Sequence, residues 1–122
     1  MKITSITAAV FSNDPTSIVN SYEETLGLQV RHMTVFGEAL APLSAMFSLG
    51  NDKGARFDVI QINGEETTGV RVNADHFEDA FAAYEQLGYK TVCGPAIAES
   101  AMTALLTKEG CIPVLLVQHV QK

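Results

Sequence analysis

Glu24-Thr25-Leu26-Gly27 returns 61 residues later as Glu85-Gln86-Leu87-Gly88, and Asp14 returns at the same interval as Asp75. The chain has 122 residues, so the interval is half its length. A repeat of this period marks two copies of one supersecondary unit. In each copy the aspartate and the Leu-Gly pair bracket about three helical turns. Asn13 or Asp14 suits an N-cap, Pro15 the first helical position, and Gly27 the left-handed residue past the end. Between them Ile18, Val19, Tyr22 and Leu26 form an apolar stripe of helical period. In the second copy Asp75 and Glu78 read as a variant capping box. Phe77, Ala80, Phe81, Tyr84 and Leu87 make its stripe, and Gly88 ends it.

The segments around the helices read as strands. Lys2–Ser12 alternates, with Ile6, Ala8 and Val10 on one face and Ser5, Thr7, Ala9 and Phe11 on the other. Leu28–Phe36, Pro42–Leu49 and Ala55–Ile62 follow the first helix, and Gly50-Asn51-Asp52-Lys53-Gly54 signals a hairpin turn between the last two. Thr67–Asn73 precedes the second helix; Tyr89–Cys93, Ala101–Thr107 and Ile112–Val120 follow it. Gly94–Ser100 is the least regular stretch and reads as a loop over a cavity. Phe36 is expected on the rim of a cleft, with Gly37–Ala41 as a flap. One domain, 1–122, thus holds two repeats, 1–61 and 62–122, each β-α-β-β-β. A single helix covers one face of its sheet, so the other face needs a second module. The expected fold is α+β: two tandem βαβββ modules forming curved sheets around a cleft, where ligands bind.

Composition narrows the partners. Hydrophobic residues make up 47% and charged residues 18%, which is ordinary for a globular chain. No apolar run reaches the roughly 18 residues that span a bilayer, and the N-terminal stretch alternates like a strand rather than a signal peptide. A cytoplasmic location without membrane contact is expected. Eight basic against fourteen acidic residues give a net charge of -6, which argues against nucleic acid and suits a neutral or cationic partner. Cys93 and Cys111 form no CxxC pair and are expected as buried thiols. His32, His76 and His119 are dispersed and show no ligand spacing. Nucleotide-binding glycine loops, HExxH and GxSxG are absent from the sequence.

The tandem halves, the helix endings Tyr22-Glu23-Glu24-Thr25-Leu26-Gly27-Leu28 and Glu85-Gln86-Leu87-Gly88-Tyr89, and the closing Lys108-Glu109-Gly110-Cys111-Ile112-Pro113-Val114-Leu115-Leu116 resemble the vicinal oxygen chelate superfamily. Glyoxalase I, extradiol dioxygenases and bleomycin-resistance proteins are among its members. The resemblance covers essentially the whole chain. In the superfamily's enzymes, histidines and glutamates on cleft-facing strands hold one divalent metal. Carried over, those positions fall at Thr7, at Thr68 or Gly69, and at Val114 or Leu115. None is a usual transition-metal ligand, so the resemblance implies a metal-free type with no cofactor. The metal-free members it resembles are small acidic homodimers that sequester a basic drug. The expected function is therefore metal-independent small-molecule binding of the glyoxalase/bleomycin-resistance type, antibiotic sequestration included, by a homodimer. The alternatives are a lyase, isomerase or dioxygenase-like enzyme with a non-standard site, and a filled domain that binds other proteins.

Alternation selects the candidate ligand-binding residues. Val70 and Val72 face the helix, which sends Gly69, Arg71 and Asn73 toward the cleft. Arg71 suits a carboxylate or phosphate, and otherwise an ion pair with Asp58. Asp58, where the superfamily often carries a glutamate, suits a cationic group or a base, and otherwise pairing with Arg71 or Arg56. Thr7, Phe11, Met46 and Ser48, with Ser44, fall on the same face and make an apolar pocket with polar handles, or else fill the core. No catalytic residue is assigned.

Overall fold

A computed structural model describes residues 2–119 of the chain. Its elements run β1 (Ile3–Ser12), α1 (Pro15–Leu26), β2 (Gln29–Val35), a 3-10 turn (Glu38–Leu40), β3 (Leu43–Gly50), β4 (Arg56–Ile62), β5 (Thr67–Ala74), α2 (Phe77–Gln86), β6 (Lys90–Ala98), β7 (Ala101–Thr107) and β8 (Val114–His119). Both βαβββ modules are present. Their strands form one eight-stranded sheet, in the order β2-β3-β4-β1-β5-β8-β7-β6, rather than two separate sheets. The modules join where β1 and β5 pair antiparallel, and within each module the first and last strands pair parallel. The sheet curls into a cup, so its concave face encloses one apolar cluster and its convex face carries the helices.

Local chemistry explains α1. The Asp14 carboxylate accepts from the Ser17 backbone N–H at 3.4 Å and from the Ser17 hydroxyl at 2.7 Å. Gly27 ends the helix at φ 65. Val19 and Leu28 pack with Leu49 and Val59 beneath it. At α2 the expected capping box does not form. The N-cap is His76, with no side-chain cap bond. Gln118 of β8 serves instead: its amide oxygen accepts from the Phe77 N–H, and its amide nitrogen donates to the Asp75 carbonyl at 2.6 Å. Val72, Ala74, Phe77, Ala80, Leu106 and Leu116 are buried together under α2.

Other expectations are corrected. Gly94–Ser100 is no loop over a cavity: β6 runs on to Ala98, with a bulge between Cys93 and Ala96 absorbing the glycine and proline. Phe36 is buried rather than on a rim, and Leu40, at the centre of the supposed flap, is fully buried in the concave cluster. A bulge between Leu43 and Ala45 puts Leu43 into that cluster and leaves Ser44 exposed. Cys93 is buried as expected, whereas Cys111 is exposed. The end of the expected strand Ile112–Val120 lies outside the described residues at Val120.

Candidate functional site

The floor of the cup is built by register. On β1, Thr7 stands opposite Arg71 of β5, and Ala9 stands between Gly69 of β5 and Asp58 of β4. Asp58 in turn faces Ser48 of β3. Asp58 and Arg71 thus lie one strand either side of β1, and the arginine reaches across it. Arg71 Nε donates to Asp58 Oδ2, Nη2 donates to Oδ1 at 3.4 Å, and Nη1 donates to Asn73 Oδ1 at 3.2 Å. The Asp58 side chain is 1% exposed and that of Arg71 14%. Burial pushes the Asp58 carboxyl above the ordinary carboxylate range, against the opposing pull of Arg71 and of the Ser48 hydroxyl. The structure therefore brings the two charged candidates together from the two halves of the chain, each as the other's partner.

Thr7, Phe11 and Met46 are buried on the same face and Ser48 is half-buried. Most of the cup is filled by Phe11, Met46, Ile60, Leu105, Leu115 and their neighbours. A hollow of about 420 Å³ remains where β1 and β4 end and β5 and β8 begin. Phe11, Ile62 and Leu105 line it with Pro42, Val92 and Pro113, and its acidic group is Glu65. Alternation alone missed this hollow, because strand-end positions from five strands define it. A larger depression of about 860 Å³ lies at the opposite strand ends, around the start of α2. There His76 Nδ1 lies 3.2 Å from Asp75 Oδ1, and this contact holds the Asp75 carboxyl below its usual range. That depression reaches the Asp58–Arg71 pair at Asn73, whose Oδ1 accepts from Arg71 Nη1.

No protein-family model matches the sequence, and no curated protein matches it either. Solved structures do. A methylmalonyl-CoA epimerase variant from Streptomyces coelicolor, in complex with 2-nitronate-propionyl-CoA, matches with a TM-score of 0.68 at 18% identity, over 99% of each chain. Methylmalonyl-CoA epimerase from Mycobacterium tuberculosis matches with a TM-score of 0.69 at 12% identity, over 98% of this chain and 90% of that one. A hypothetical protein from Bacillus halodurans matches with a TM-score of 0.66 at 10% identity, over 98% of both. The chain has the vicinal oxygen chelate fold. At these identities the likeness establishes the fold and not the activity.

Within the vicinal oxygen chelate fold, strand parity now chooses between the open alternatives. Gly69 and Leu115 face the cup, since Thr68 is exposed on the other face and Val114 packs under α2. Thr7, Asp58, Gly69 and Leu115 therefore all lie on the cup side of their strands. They offer one carboxylate, already held by Arg71, one hydroxyl and no imidazole or thiolate. This donor set does not fit a divalent metal. Among the described residues there is also no cluster of three potential metal-binding side chains. Gly69 itself has no room for a ligand: a Cβ there would lie 2.6 Å from the Pro113 carbonyl oxygen and 2.7 Å from Phe11 Cε1. That carbonyl accepts the Val70 N–H at 3.1 Å, so it is held in place. Gly69→Ala is therefore expected to cost about 1–3 kcal/mol through overpacking. A urea melt reads this directly, and a loss below half a kcal/mol would show that β8 yields freely.

Proposed function

We propose that the protein is a metal-independent small-molecule binding protein whose site is the hollow in front of Phe11. The observation that carries the reading is the lining of that hollow. It is the part of the concave face left open by the chain's own side chains, and its surface is apolar with a single acidic group, Glu65. Such a hollow suits a compact, largely apolar molecule that is neutral or cationic. The net charge of -6 favours the same class, to which basic antibiotics belong. Behind Phe11, the Asp58–Arg71 pair fixes β4, β1 and β5 in register and shapes the floor. Pairing into a homodimer would give two equivalent hollows.

A fragment panel of aromatic amines, neutral aromatics and aromatic carboxylates, read by thermal shift, tests the proposal. Amines and neutral compounds should raise the midpoint, because a ligand bound to the folded state stabilises it. Val92 is 44% exposed and lines the hollow, so Val92→Trp should block the shift while leaving the fold intact. Elemental analysis should find no stoichiometric transition metal. Shifts that survive Val92→Trp, or about one tightly held metal per chain, would overturn the reading.

A second reading has one specific support: several of the solved structures of the same fold are methylmalonyl-CoA epimerases in complex with acyl-CoA compounds. A carboxyl with a raised pKa beside a guanidinium would pair a base with an oxyanion holder for proton abstraction next to a carbonyl. Deuterium incorporation into methylmalonyl-CoA in heavy water, abolished by Asp58→Asn, would favour that reading over simple binding.

A further inference from the structure

The sheet's two edge strands, β2 and β6, stand at opposite ends of the strand order, and no ladder joins them. The curl of the sheet nevertheless brings them to one seam. Two devices close it. Leu40, in the 3-10 turn after β2, is fully buried in the concave cluster and reaches β6 at Gly94, where a Cβ would lie 3.2 Å from Leu40 Cδ2. At the other end of the seam, the Glu99 carboxylate accepts the Val35 N–H at 2.6 Å. Among the described residues this is the one hydrogen bond that crosses between the β2 edge and the β6–β7 turn. His32 Nε2 of β2 lies 3.7 Å from the other Glu99 oxygen.

The turn that carries Glu99 is strained. Glu99 and Ser100 sit at φ 47 and φ 67, a region that costs a non-glycine residue free energy. The strained turn directs the Glu99 side chain back onto β2, where it takes up an edge N–H that the sheet leaves unpaired. We propose that the seam between β2 and β6 is a gate onto the concave face, and that Glu99 is its latch. A carboxylate bond to a backbone N–H is strong enough to hold an edge shut, yet it is a single side-chain contact in place of a ladder. Opening would lift Phe36 and Leu40 away from β6 and uncover the interior beside the hollow. The role in ligand entry rests on the binding reading above. The latch itself does not.

Cys93 reports the opening. It lies on β6 in the same buried cluster as Leu40 and Phe36, next in sequence to the Gly94 that Leu40 meets, and it is buried. With the exposed Cys111 replaced by serine, the rate at which a disulfide reagent modifies Cys93 measures how often the seam opens. Glu99→Ala should raise that rate about tenfold or more, since it removes a charge-assisted bond. Glu99→Gln keeps an acceptor oxygen and should fall between the two. The gain should hardly change at low urea, because local opening exposes little surface, whereas global unfolding is strongly urea-dependent. An unchanged rate, or a gain that follows global stability, would overturn the latch. If Glu99→Ala speeds Cys93 modification but no fragment binds the hollow in either protein, the latch stands and the binding reading fails. Fragments that bind at the same on-rate in both proteins would overturn the entry role.

Discussion

Arg71→Ala is expected to cost about 3–5 kcal/mol at neutral pH, because it leaves a buried carboxylate without its partner. The loss should depend on pH in a definite direction. Asp58 is already pushed above the usual carboxylate range by burial, with Arg71 opposing that push. A carboxyl whose folded pKa exceeds its unfolded one binds its proton more tightly in the folded state. It then costs nothing below the unfolded value, near pH 4, and destabilises progressively as the pH rises through the folded value. Removing Arg71 raises the folded pKa further, so the penalty grows and its window extends to higher pH. Urea melts of the variant and the parent should therefore differ least near pH 4 and most at pH 7 or above. Asp58→Asn placed on Arg71→Ala should recover much of the loss at neutral pH, since a neutral amide needs no counter-charge. A difference that is the same at both pH values, or one that Asp58→Asn leaves untouched, would show that Arg71 contributes through packing alone.

The pair was partly legible in the sequence, and its limits are instructive. Alternation around Val70 and Val72 placed Arg71 on the inner face, and the same rule placed Asp58 there. What makes them touch is the register through β1, Ala9 against Asp58 and Thr7 against Arg71, which depends on long-range pairing. The same distinction separates the helix ends. The start of α1 is written in adjacent residues, Asp14 and Pro15, and could be read. The start of α2 is held by Gln118, far along the chain, and could not. Bulges defeated the reading at two places, and at the first because one inserted residue exchanges the two faces. Ser44 left the cup for that reason, and β6 was cut short at Cys93 because glycine and proline signal a break even where an edge strand absorbs them. The side of each strand that faces the cup was legible for Thr7, whereas the choice of Gly69 over Thr68 and of Leu115 over Val114 needed the structure. That Phe11 covers Gly69 was not legible, because a contact between the faces of neighbouring strands leaves no mark in local spacing. Glu99 and Ser100 carry no glycine to betray a positive-φ turn, so the seam contact also went unread.

Phe11→Ala is expected to have the other large effect. The ring is 1% exposed, and its edge lies over Gly69, which gives it space by having no side chain. It also forms the inner wall of the hollow, with Leu105 and Ile62 beside it. Truncating a buried phenylalanine removes transfer free energy and leaves a cavity that the surroundings refill only in part, at about 3–5 kcal/mol. Collapse is limited here. The neighbouring Pro113 carbonyl is tied to Val70, and β1 is bonded on both sides, to β4 and to β5. The vacated space should merge with the hollow and extend it past Gly69 toward Arg71. Two measurements then separate a cavity from general loosening. A urea melt should show the loss in the midpoint with little change in slope, as expected when stability changes and compactness does not. Small aromatic molecules such as benzene should stabilise the variant more than the parent, because a dry apolar cavity binds them. A loss below about 1 kcal/mol, outside the range for a buried ring, would mean that the strands close over the gap and that Phe11 does not wall off the ion pair. A large loss without benzene stabilisation would mean that water enters as far as Arg71, so that the ring's main contribution is to keep the Asp58–Arg71 pair dry.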